Sequence, residues 1–423
     1  MRAGGATVRP VTERTTSRPD RPRSGAGRAS VVAAALVLCV AASSLPARPS
    51  GALAVEARTP EGVPAEPLRV LAERAGLRIG STLAPDQIAD ADHAGTLARE
   101  FSSVTAENAM KWYAIQPTRG TFDFSGADAV LDFAEANDMM VRGHTLVWAQ
   151  DTFTPAWVVA ITDPDELRSV VEEHLRTVLD RYRGRIARWD VVNEPLQTLG
   201  AGPSDNVFRR VLGSDWLTEI YLLVHAIDPD IELWLNEYGS DWVPGKHDAL
   251  VALVGDLVDA GVALHGVGLQ THRLSPDGPD RSTFEQQLRD FQDLGLAVAL
   301  TEVDIATDPG QPTTDTFAAQ ADAYATIVSS CLAVPACEEV TTWGISDADT
   351  WLDSQGILPA PTRPLLFDDA YRPKPAYDAV AAVLAAGRPT VEEPTTTVPQ
   401  RPAPSPVGPT PAAPIPAAPA YTG

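Results

Sequence analysis

Two glutamates in matching sequence contexts are the residues of this chain best suited to catalysis. Glu194 ends the segment Trp-Asp-Val-Val-Asn-Glu, and Glu302, much later in the chain, ends Ala-Val-Ala-Leu-Thr-Glu. Each follows a short apolar run that predicts a buried parallel strand. An unpaired buried carboxylate is costly, so both belong at strand ends facing a polar cleft, where they could serve as the acid/base and the nucleophile of a retaining glycosidase. The alternative is that they are two of the chain's 56 acidic residues, lying in ordinary loops.

The segment 67–388 alternates between strand-like and helix-like patterns, which predicts the α/β class and a single (β/α)8 TIM barrel. Helical periodicity marks Asp165–Tyr182, Asp215–Ile227, His247–Val262 and Thr316–Ser330. An Asp-Pro pair before the first of these helices is a helix start signal. Apolar runs predict eight strands, at Arg78–Leu83, Phe101–Ala106, Met140–Trp148, Ala187–Val192, Glu232–Leu235, Gly266–Leu269, Ala297–Glu302 and Val340–Trp343.

Polar and aromatic side chains follow six or seven of these strands, at the end where a barrel carries its chemistry. Sugars are bound by such a mixture, because aromatic planes stack on their C–H faces while amides and carboxylates bind their hydroxyls. In chain order the motifs are Glu-Asn-x-x-Lys, Gly-His-Thr-Leu-Val-Trp, Trp-Asp-Val-Val-Asn-Glu, Gln-x-His, Thr-Glu-x-Asp and Trp-Gly.

This ordered set resembles the glycoside hydrolase family 10 endo-β-1,4-xylanases, and the similarity spans roughly residues 67–388. The resemblance implies a retaining enzyme that hydrolyses internal β-1,4-xylosidic bonds of xylan by double displacement, with no cofactor and no bound metal. Asp347, Asp349 and Asp353 are spaced a little like a calcium loop, but the glycine and the terminal glutamate of that loop are absent.

The resemblance also assigns roles to individual residues. Glu194 matches the acid/base and Glu302 the nucleophile, with carboxyl groups about 5–5.5 Å apart. Asn193 matches the amide that holds the 2-hydroxyl of the sugar being cleaved, while His272, fixed by Asp304, matches the residue that hydrogen-bonds the nucleophile. The substrate-binding residues implied are Glu107, Asn108, Lys111, His144 and Trp148 in the glycone-side subsites, Trp343 and Trp351 as walls around the reacting sugar, and Tyr238 and Gln270.

Four places depart from the family pattern. Residues 149–151 are Ala-Gln-Asp where His-Ser-Gln or a similar triplet is usual, Gly239 replaces an asparagine, Leu352 an arginine and Pro195 an alanine. Because several of these lie near subsites, the same machinery acting on β-1,4-glucan or aryl β-cellobiosides stays an alternative. A non-catalytic polysaccharide-binding barrel is the alternative from another class, although such a protein has no need of both glutamates.

Other tryptophans and histidines are expected to be structural. Trp189 and Trp234 lie inside strand patterns and are predicted to be core residues. His174, His225 and His247 fall in helices and are predicted to be surface or capping residues.

The two ends of the chain differ from the middle. Residues 1–54 are predicted to be a signal peptide, with arginines before the apolar run Val31–Val40 and an Ala-x-Ala site at 52–54. Residues 55–66 form a lead-in, and the Pro/Thr/Ala-rich residues 389–423 are predicted to be a disordered tail. We expect a secreted, extracellular protein in which Cys331 and Cys337 form a disulfide.

The charge of −23 argues against a nucleic-acid partner, because binding phosphates needs clustered lysine and arginine. The apolar run near the N-terminus is too short to span a membrane. The expected partner is xylan or a related β-1,4-linked polysaccharide, bound by a monomer that has no membrane association after signal removal.

Overall fold

The computed structural model describes residues 66–307 and 312–389. The predicted signal peptide and nearly all of the predicted lead-in and tail lie outside the described residues. Within them, the chain forms strands β1 Arg78–Leu83, β2 Ser103–Ala106, β3 Met140–Trp148, β4 Arg188–Asn193, β5 Glu232–Glu237, β6 Leu264–Leu269, β7 His272–Arg273, β8 Ala297–Ile305 and β9 Cys337–Thr342.

Helices alternate with these strands along the chain. They are α1 Leu68–Arg74, α2 Ala91–Glu100, α3 Trp112–Ile115, α4 Ser125–Ala136, α5 Ala156–Val159, α6 Pro164–Tyr182, α7 Val207–Leu212, α8 Trp216–Ile227, α9 Lys246–Asp259, α10 Arg281–Asp293, α11 Thr314–Ala333, α12 Trp351–Ser354 and α13 Pro375–Ala386. Short 3₁₀ turns occur at Pro85–Ala89, Asp151–Phe153 and Asp347–Asp349.

Eight of the strands close into a parallel barrel. Their order is β6-β5-β4-β3-β2-β1-β9-β8, and an additional parallel pairing of β6 with β8 completes the ring. The predicted (β/α)8 barrel is therefore confirmed. Since all strands run in the same direction, their carboxyl ends meet at one mouth, where the loops can bring distant parts of the chain together.

The two glutamates occupy different positions relative to their strands. Glu194 directly follows β4 and has a backbone φ of 56°, in the left-handed region. Glu302 lies inside β8 instead of at its end, so the predicted end of this strand is wrong. Strand β8 continues because the short β7 pairs His272 with Asp304. That extension carries the nucleophile candidate and its neighbours on one continuous strand.

Helix α6 shows how local sequence sets an element. Asp163 caps its N-terminus by accepting from the backbone N–H groups of Asp165 (3.0 Å) and Glu166 (2.9 Å). Pro164 occupies the first helical turn, where its missing N–H costs nothing. The start signal predicted from the Asp-Pro pair is confirmed.

One prediction about α6 is wrong. His174, expected at the surface or as a cap, is fully buried and stacks on Trp112 with ring centroids 3.9 Å apart. Its position falls on the apolar face of the helix, beside Val170 and Val178. Burial lowers the pKa of His174 to about 3, so it is a neutral core residue. The other two histidines are half-buried, His225 on α8 and His247 at the start of α9.

The barrel core contains the two tryptophans predicted there, Trp189 and Trp234, both buried. Trp189 fills space left by Gly143 on the neighbouring strand, since a Cβ at Gly143 would lie 2.3 Å from Trp189 Cδ2. Trp234 likewise lies against Gly266, so each tryptophan occupies space left by a glycine on a neighbouring strand.

A buried ionic network runs through the barrel interior toward the mouth. Arg142 Nη2 donates to Asp190 Oδ1 at 2.6 Å, and His144 Nδ1 donates to Asp190 Oδ2 at 2.9 Å. Glu339 lies 3.0 Å from Arg188 and 3.4 Å from Arg142. Burial alone would raise the pKa of Asp190, but the charge of Arg142 and the bond from His144 lower it. The ionised Asp190 thus fixes the orientation of His144.

The disulfide predicted between Cys331 and Cys337 is present, and it joins the end of α11 to the start of β9. Among the described residues, every helix is too short or too polar to cross a bilayer.

Candidate active site

Glu194 lies at the mouth of the barrel with amide groups around its carboxylate. Its Oε1 accepts from Gln270 Nε2 at 2.9 Å and from Asn193 Nδ2 at 3.4 Å. Its Oε2 accepts from the side-chain amide of Gln150. These donors are neutral, so this carboxyl group is held by hydrogen bonds without a directly paired cation.

Glu302 has a different environment. Its Oε1 accepts from Asn236 Nδ2 at 2.6 Å, and its Oε2 accepts from His272 Nε2 at 3.1 Å. Burial alone would raise the pKa of Glu302, but the hydrogen bond from His272 and nearby positive charges lower it below its ordinary value. Glu302 is therefore ionised at neutral pH.

His272 is charged because it lies between two carboxylates. Its Nδ1 is 2.8 Å from Asp304 Oδ1, on the side opposite Glu302. Burial disfavours the imidazolium, but the negative charge of Asp304 and the contact with Glu302 outweigh it and raise the pKa to about 10. Trp351 Nε1 donates to Asp304 Oδ2 at 2.6 Å. Asp304 thus orients the imidazolium, and Trp351 orients Asp304.

Asn236 connects the two glutamates and was not assigned a role from the sequence. It donates to Glu302 and, at 3.0 Å, to Asn193 Oδ1, which also accepts from Gln270 at 3.2 Å. Thr301 Oγ1 donates to Asn236 Oδ1 at 2.6 Å. A signal was available, because Asn236 follows the fifth predicted strand as Asn193 follows the fourth, and the two are register partners on β4 and β5.

Lys111 is a buried cation in the part of the mouth formed by β2 and β3. Its Nζ lies 4.7 Å from the ring centroid of Trp148 and 5.7 Å from that of Trp343, and it donates to Asn108 Oδ1 at 3.0 Å. Burial lowers the pKa of Lys111, although the negative charge of Glu302 opposes this shift. Lys111 therefore contacts both an amide, Asn108, and two tryptophans, Trp148 and Trp343, at the mouth of the barrel.

Glu107 and Asn108 lie beside Lys111, and Asn108 Nδ2 donates to Glu107 Oε1 at 3.1 Å. Burial raises the pKa of Glu107, although the charge of Lys111 opposes the rise. Trp343 packs edge-on against the His144 ring, with centroids 5.6 Å apart, and against the His272 ring at 6.2 Å.

Tyr238 also lies near His272, with the two ring centroids 6.0 Å apart. The structure therefore brings every residue expected from the resemblance to one mouth: Glu107, Asn108, Lys111, His144, Trp148, Asn193, Glu194, Tyr238, Gln270, His272, Glu302, Asp304, Trp343 and Trp351.

Asp347 and Asp353, two of the three aspartates spaced like a calcium loop, have protein partners. Asp347 pairs with Lys374 Nζ at 2.9 Å, and Asp353 Oδ1 accepts from Thr362 N at 3.0 Å. Within residues 66–307 and 312–389, no group of three or more His, Cys, Asp or Glu side chains could hold a metal ion.

Comparison with known proteins finds sequence relatives along most of the chain. The Glycosyl hydrolase family 10 profile matches residues 67–383. Endo-1,4-beta-xylanase 3 of Hypocrea jecorina is 36% identical over 293 residues, which are 69% of this chain and 78% of the fungal protein. Endo-1,4-beta-xylanase B of Thermotoga neapolitana is 32% identical over 322 residues, 75% of this chain and 91% of that protein.

Solved structures of xylanases are also similar to this chain. Native xylanase 10B from Thermotoga maritima superposes with a TM-score of 0.71 at 33% identity, covering 76% of this chain and 98% of its own. Xylanase 10B from Thermotoga petrophila RKU-1, in complex with xylobiose, superposes with a TM-score of 0.72 at 32% identity, covering 77% and 98%. With its barrel, its two buried glutamates and a family match over most of its length, this chain belongs to glycosyl hydrolase family 10 and is a glycoside hydrolase.

Proposed function

We propose that this chain is a secreted endo-1,4-β-xylanase that cleaves internal bonds of xylan with retention of anomeric configuration. The observation that carries the proposal is the contrast between two carboxyl groups in one amide network. Glu302 contacts a charged imidazolium, whereas Glu194 contacts only neutral amides. Similarity to named xylanases, one of them bound to xylobiose, supports the substrate.

In the first step, Glu302 attacks the anomeric carbon and forms a glycosyl–enzyme ester. The bond to the leaving oxygen breaks, and Glu194 donates its proton to that oxygen. In the second step, Glu194 accepts a proton from water, whose oxygen attacks the anomeric carbon and releases Glu302. The charged His272 stabilises Glu302 as the departing carboxylate in this step.

Asn193 is proposed to hold the 2-hydroxyl of the reacting sugar, since its side chain lies between the two carboxyl groups. Trp343 and Trp351 are proposed to form the walls of this subsite and to leave little room for a hydroxymethyl group. That restriction favours xylose over glucose and makes β-1,4-glucan the weaker candidate substrate.

Secretion is supported by the N-terminal pattern of residues 1–54 and by the disulfide, which persists in oxidising compartments. The N-terminal sequence of protein recovered from the culture medium tests this part. A mature chain starting near residue 55 is the expected result, and retention of residues 1–54 would contradict it.

The central experiment measures release of reducing sugar from linear xylan, cellulose and mixed-linkage β-glucan, with proton NMR of the first product. We expect release from xylan and a β-anomer that mutarotates later. Release from glucan in preference to xylan would favour the alternative substrate. Release of the α-anomer would exclude the double displacement, and no release from any polymer would reject the enzymatic proposal.

A further inference from the structure

We propose that the loop after β5 forms an additional sugar-binding subsite, centred on Trp242, for the leaving-group side of the xylan chain. This inference rests on the proposed function. Residues 240–245 of this loop, the start of α9 and one side of α10 as far as Asp290 border a cavity of about 590 Å³. Its lining includes Ser240, Asp241, Trp242, His247, Gln286 and Gln287.

Trp242 is unusually exposed for a tryptophan, with 36% of its surface accessible. It is the only aromatic residue among the exposed large hydrophobic residues of the described chain. Tryptophan is mostly buried in folded proteins because its apolar area is large. An indole kept at the surface beside a catalytic mouth provides a plane on which a sugar ring can stack.

Gly239 shapes the turn that carries this indole. It has a φ of 66°, and its carbonyl accepts from the N–H groups of Trp242 (3.2 Å) and Val243 (2.8 Å), which closes a tight turn. A Cβ at Gly239 would lie 3.0 Å from Val243 Cγ2, a tight contact, and 3.5 Å from Trp242 Cε2, an ordinary one. An asparagine, expected here from the family resemblance, would therefore crowd Val243 within the turn that holds Trp242.

Trp242 is connected to the reacting centre by a series of neighbouring rings. His272 contacts Glu302, Tyr238 lies 6.0 Å from His272, and Trp242 lies 5.7 Å from Tyr238 between ring centroids. Lys111 and Trp148, by contrast, come from β2 and β3, in another part of the barrel ring. A polymer crossing the mouth from the side of Lys111 and past Glu302 reaches Tyr238 and then Trp242.

The chemistry of the lining fits a neutral sugar. Gln286 is exposed and Gln287 half-buried. Gln286 Nε2 donates to Asp290 Oδ1 at 2.9 Å, which leaves its carbonyl oxygen to accept from a hydroxyl group, and the amide of Gln287 can bind another. The lining also includes the carboxylates of Asp248 and Asp290, whereas no lysine or arginine borders this cavity in the described chain. An unsubstituted xylose residue suits this environment better than a uronic acid.

The test compares the wild-type chain with Trp242→Ala on xylohexaose labelled at its reducing end. Stacking on Trp242 favours binding modes with a long leaving group, so the variant should shift cleavage toward the reducing end. We expect kcat/KM for xylohexaose to fall about fivefold to tenfold, the size of one lost stacking contact. Nitrophenyl xylobioside, whose leaving group is too short to reach Trp242, should be hydrolysed at the wild-type rate.

Two further variants separate the subsite from a general effect. Trp242→Phe should restore most of the wild-type cleavage pattern, since it restores a stacking plane. Leu222→Ala removes a side chain that is 46% exposed on α8 and should change nothing. An unchanged cleavage pattern in Trp242→Ala, in an enzyme that cleaves xylan, overturns the subsite alone. A wild-type chain that cleaves no xylan overturns the proposed function and this inference with it.

Discussion

The two glutamates are chemically alike as residues, and their partners make them different. Oε2 of Glu302 accepts a hydrogen bond from the charged imidazole of His272, while both oxygens of Glu194 accept from side-chain amides. A nucleophile needs a carboxylate that is ionised before substrate binds, which the lowered pKa of Glu302 provides. An acid that must later act as a base gains from neutral neighbours, because they tolerate both protonation states.

Glu194→Ala separates the acid/base from the nucleophile through the leaving group. The variant should lose about a hundredfold to ten-thousandfold in turnover of xylan, whose departing oxygen needs a proton. Nitrophenolate leaves without protonation, so nitrophenyl xylobioside should give a burst of nitrophenol followed by a slow steady state. Stopped-flow absorbance measures both phases. Equal losses on the two substrates, without a burst, would show that Glu194 does not transfer the proton.

His272→Ala should change the pH dependence. Without the hydrogen bond and the positive charge of His272, burial dominates and the pKa of Glu302 rises. Because Glu302 must be ionised, the acidic limb of kcat/KM should move to higher pH. The profile is measured with nitrophenyl xylobioside.

The matched control is His265→Ala, which removes an exposed histidine at the amino-terminal end of β6, away from the mouth. Its acidic limb should stay at the wild-type position. An unmoved limb in His272→Ala would mean that this histidine does not govern the ionisation of Glu302.

At the scale of elements, the loop after β4 holds the acid/base candidate and is itself held by a buried ion pair. Glu237 Oε2 accepts from Leu196 N at 3.0 Å, while its Oε1 lies 3.0 Å from Lys246 Nζ. Lys246 also donates to the carbonyl of Thr198 at 3.2 Å. Two side chains from β5 and α9 therefore position the segment that directly follows Glu194.

Glu237→Gln should disturb this segment. A glutamine has one acceptor oxygen, so either the buried Leu196 N loses its acceptor or Lys246 loses its contact with residue 237 and keeps only the Thr198 carbonyl. We expect a Tm a few degrees lower and xylan turnover reduced about tenfold, with a smaller loss on nitrophenyl xylobioside. The ratio of the two rates, measured well below Tm, reports on proton donation.

Glu100→Gln is the corresponding control. Glu100 is also buried and accepts from a backbone group, Leu68 N at 2.9 Å, and from Tyr377 at 2.9 Å, but it joins α1, α2 and α13. Glu100→Gln should lower Tm without changing the ratio of the rates on xylan and nitrophenyl xylobioside. If both variants change the ratio equally, the ion pair does not position Glu194.

The strands and the strand-end motifs were predictable from the sequence because apolar runs and turn signals are local. The contacts of Asn236, Gln150 and Lys246 were not, since each depends on which strands, helices and loops become neighbours at the mouth. His174 is a similar case. Helical periodicity correctly predicted that it lies in a helix, but the residue was expected at the surface and is buried. Its stacking partner, Trp112, comes from a different barrel unit.

At the scale of the whole molecule, the last helix, α13, packs on α1 and α11 and brings the chain back to the first strand and the last. Arg388, just beyond α13, donates through Nη2 to the carbonyls of Gly76 (3.1 Å) and Cys337 (2.8 Å). Its Nη1 donates to Leu332 (3.3 Å) and Val334 (3.2 Å). One side chain thus joins the segments before β1 and at the start of β9 to the C-terminal helix.

Two truncations that differ by two residues test where the folded domain ends. Removal of 390–423 should leave Tm and turnover of soluble xylan unchanged, because every site contact described above lies before residue 390. Removal of 388–423 also deletes Arg388 and leaves four carbonyl groups without their donor, so Tm should fall by a few degrees. Calorimetry measures both. If the two truncations melt together at the wild-type temperature, Arg388 does not close the domain; if both melt lower, the residues after 389 contribute to its stability.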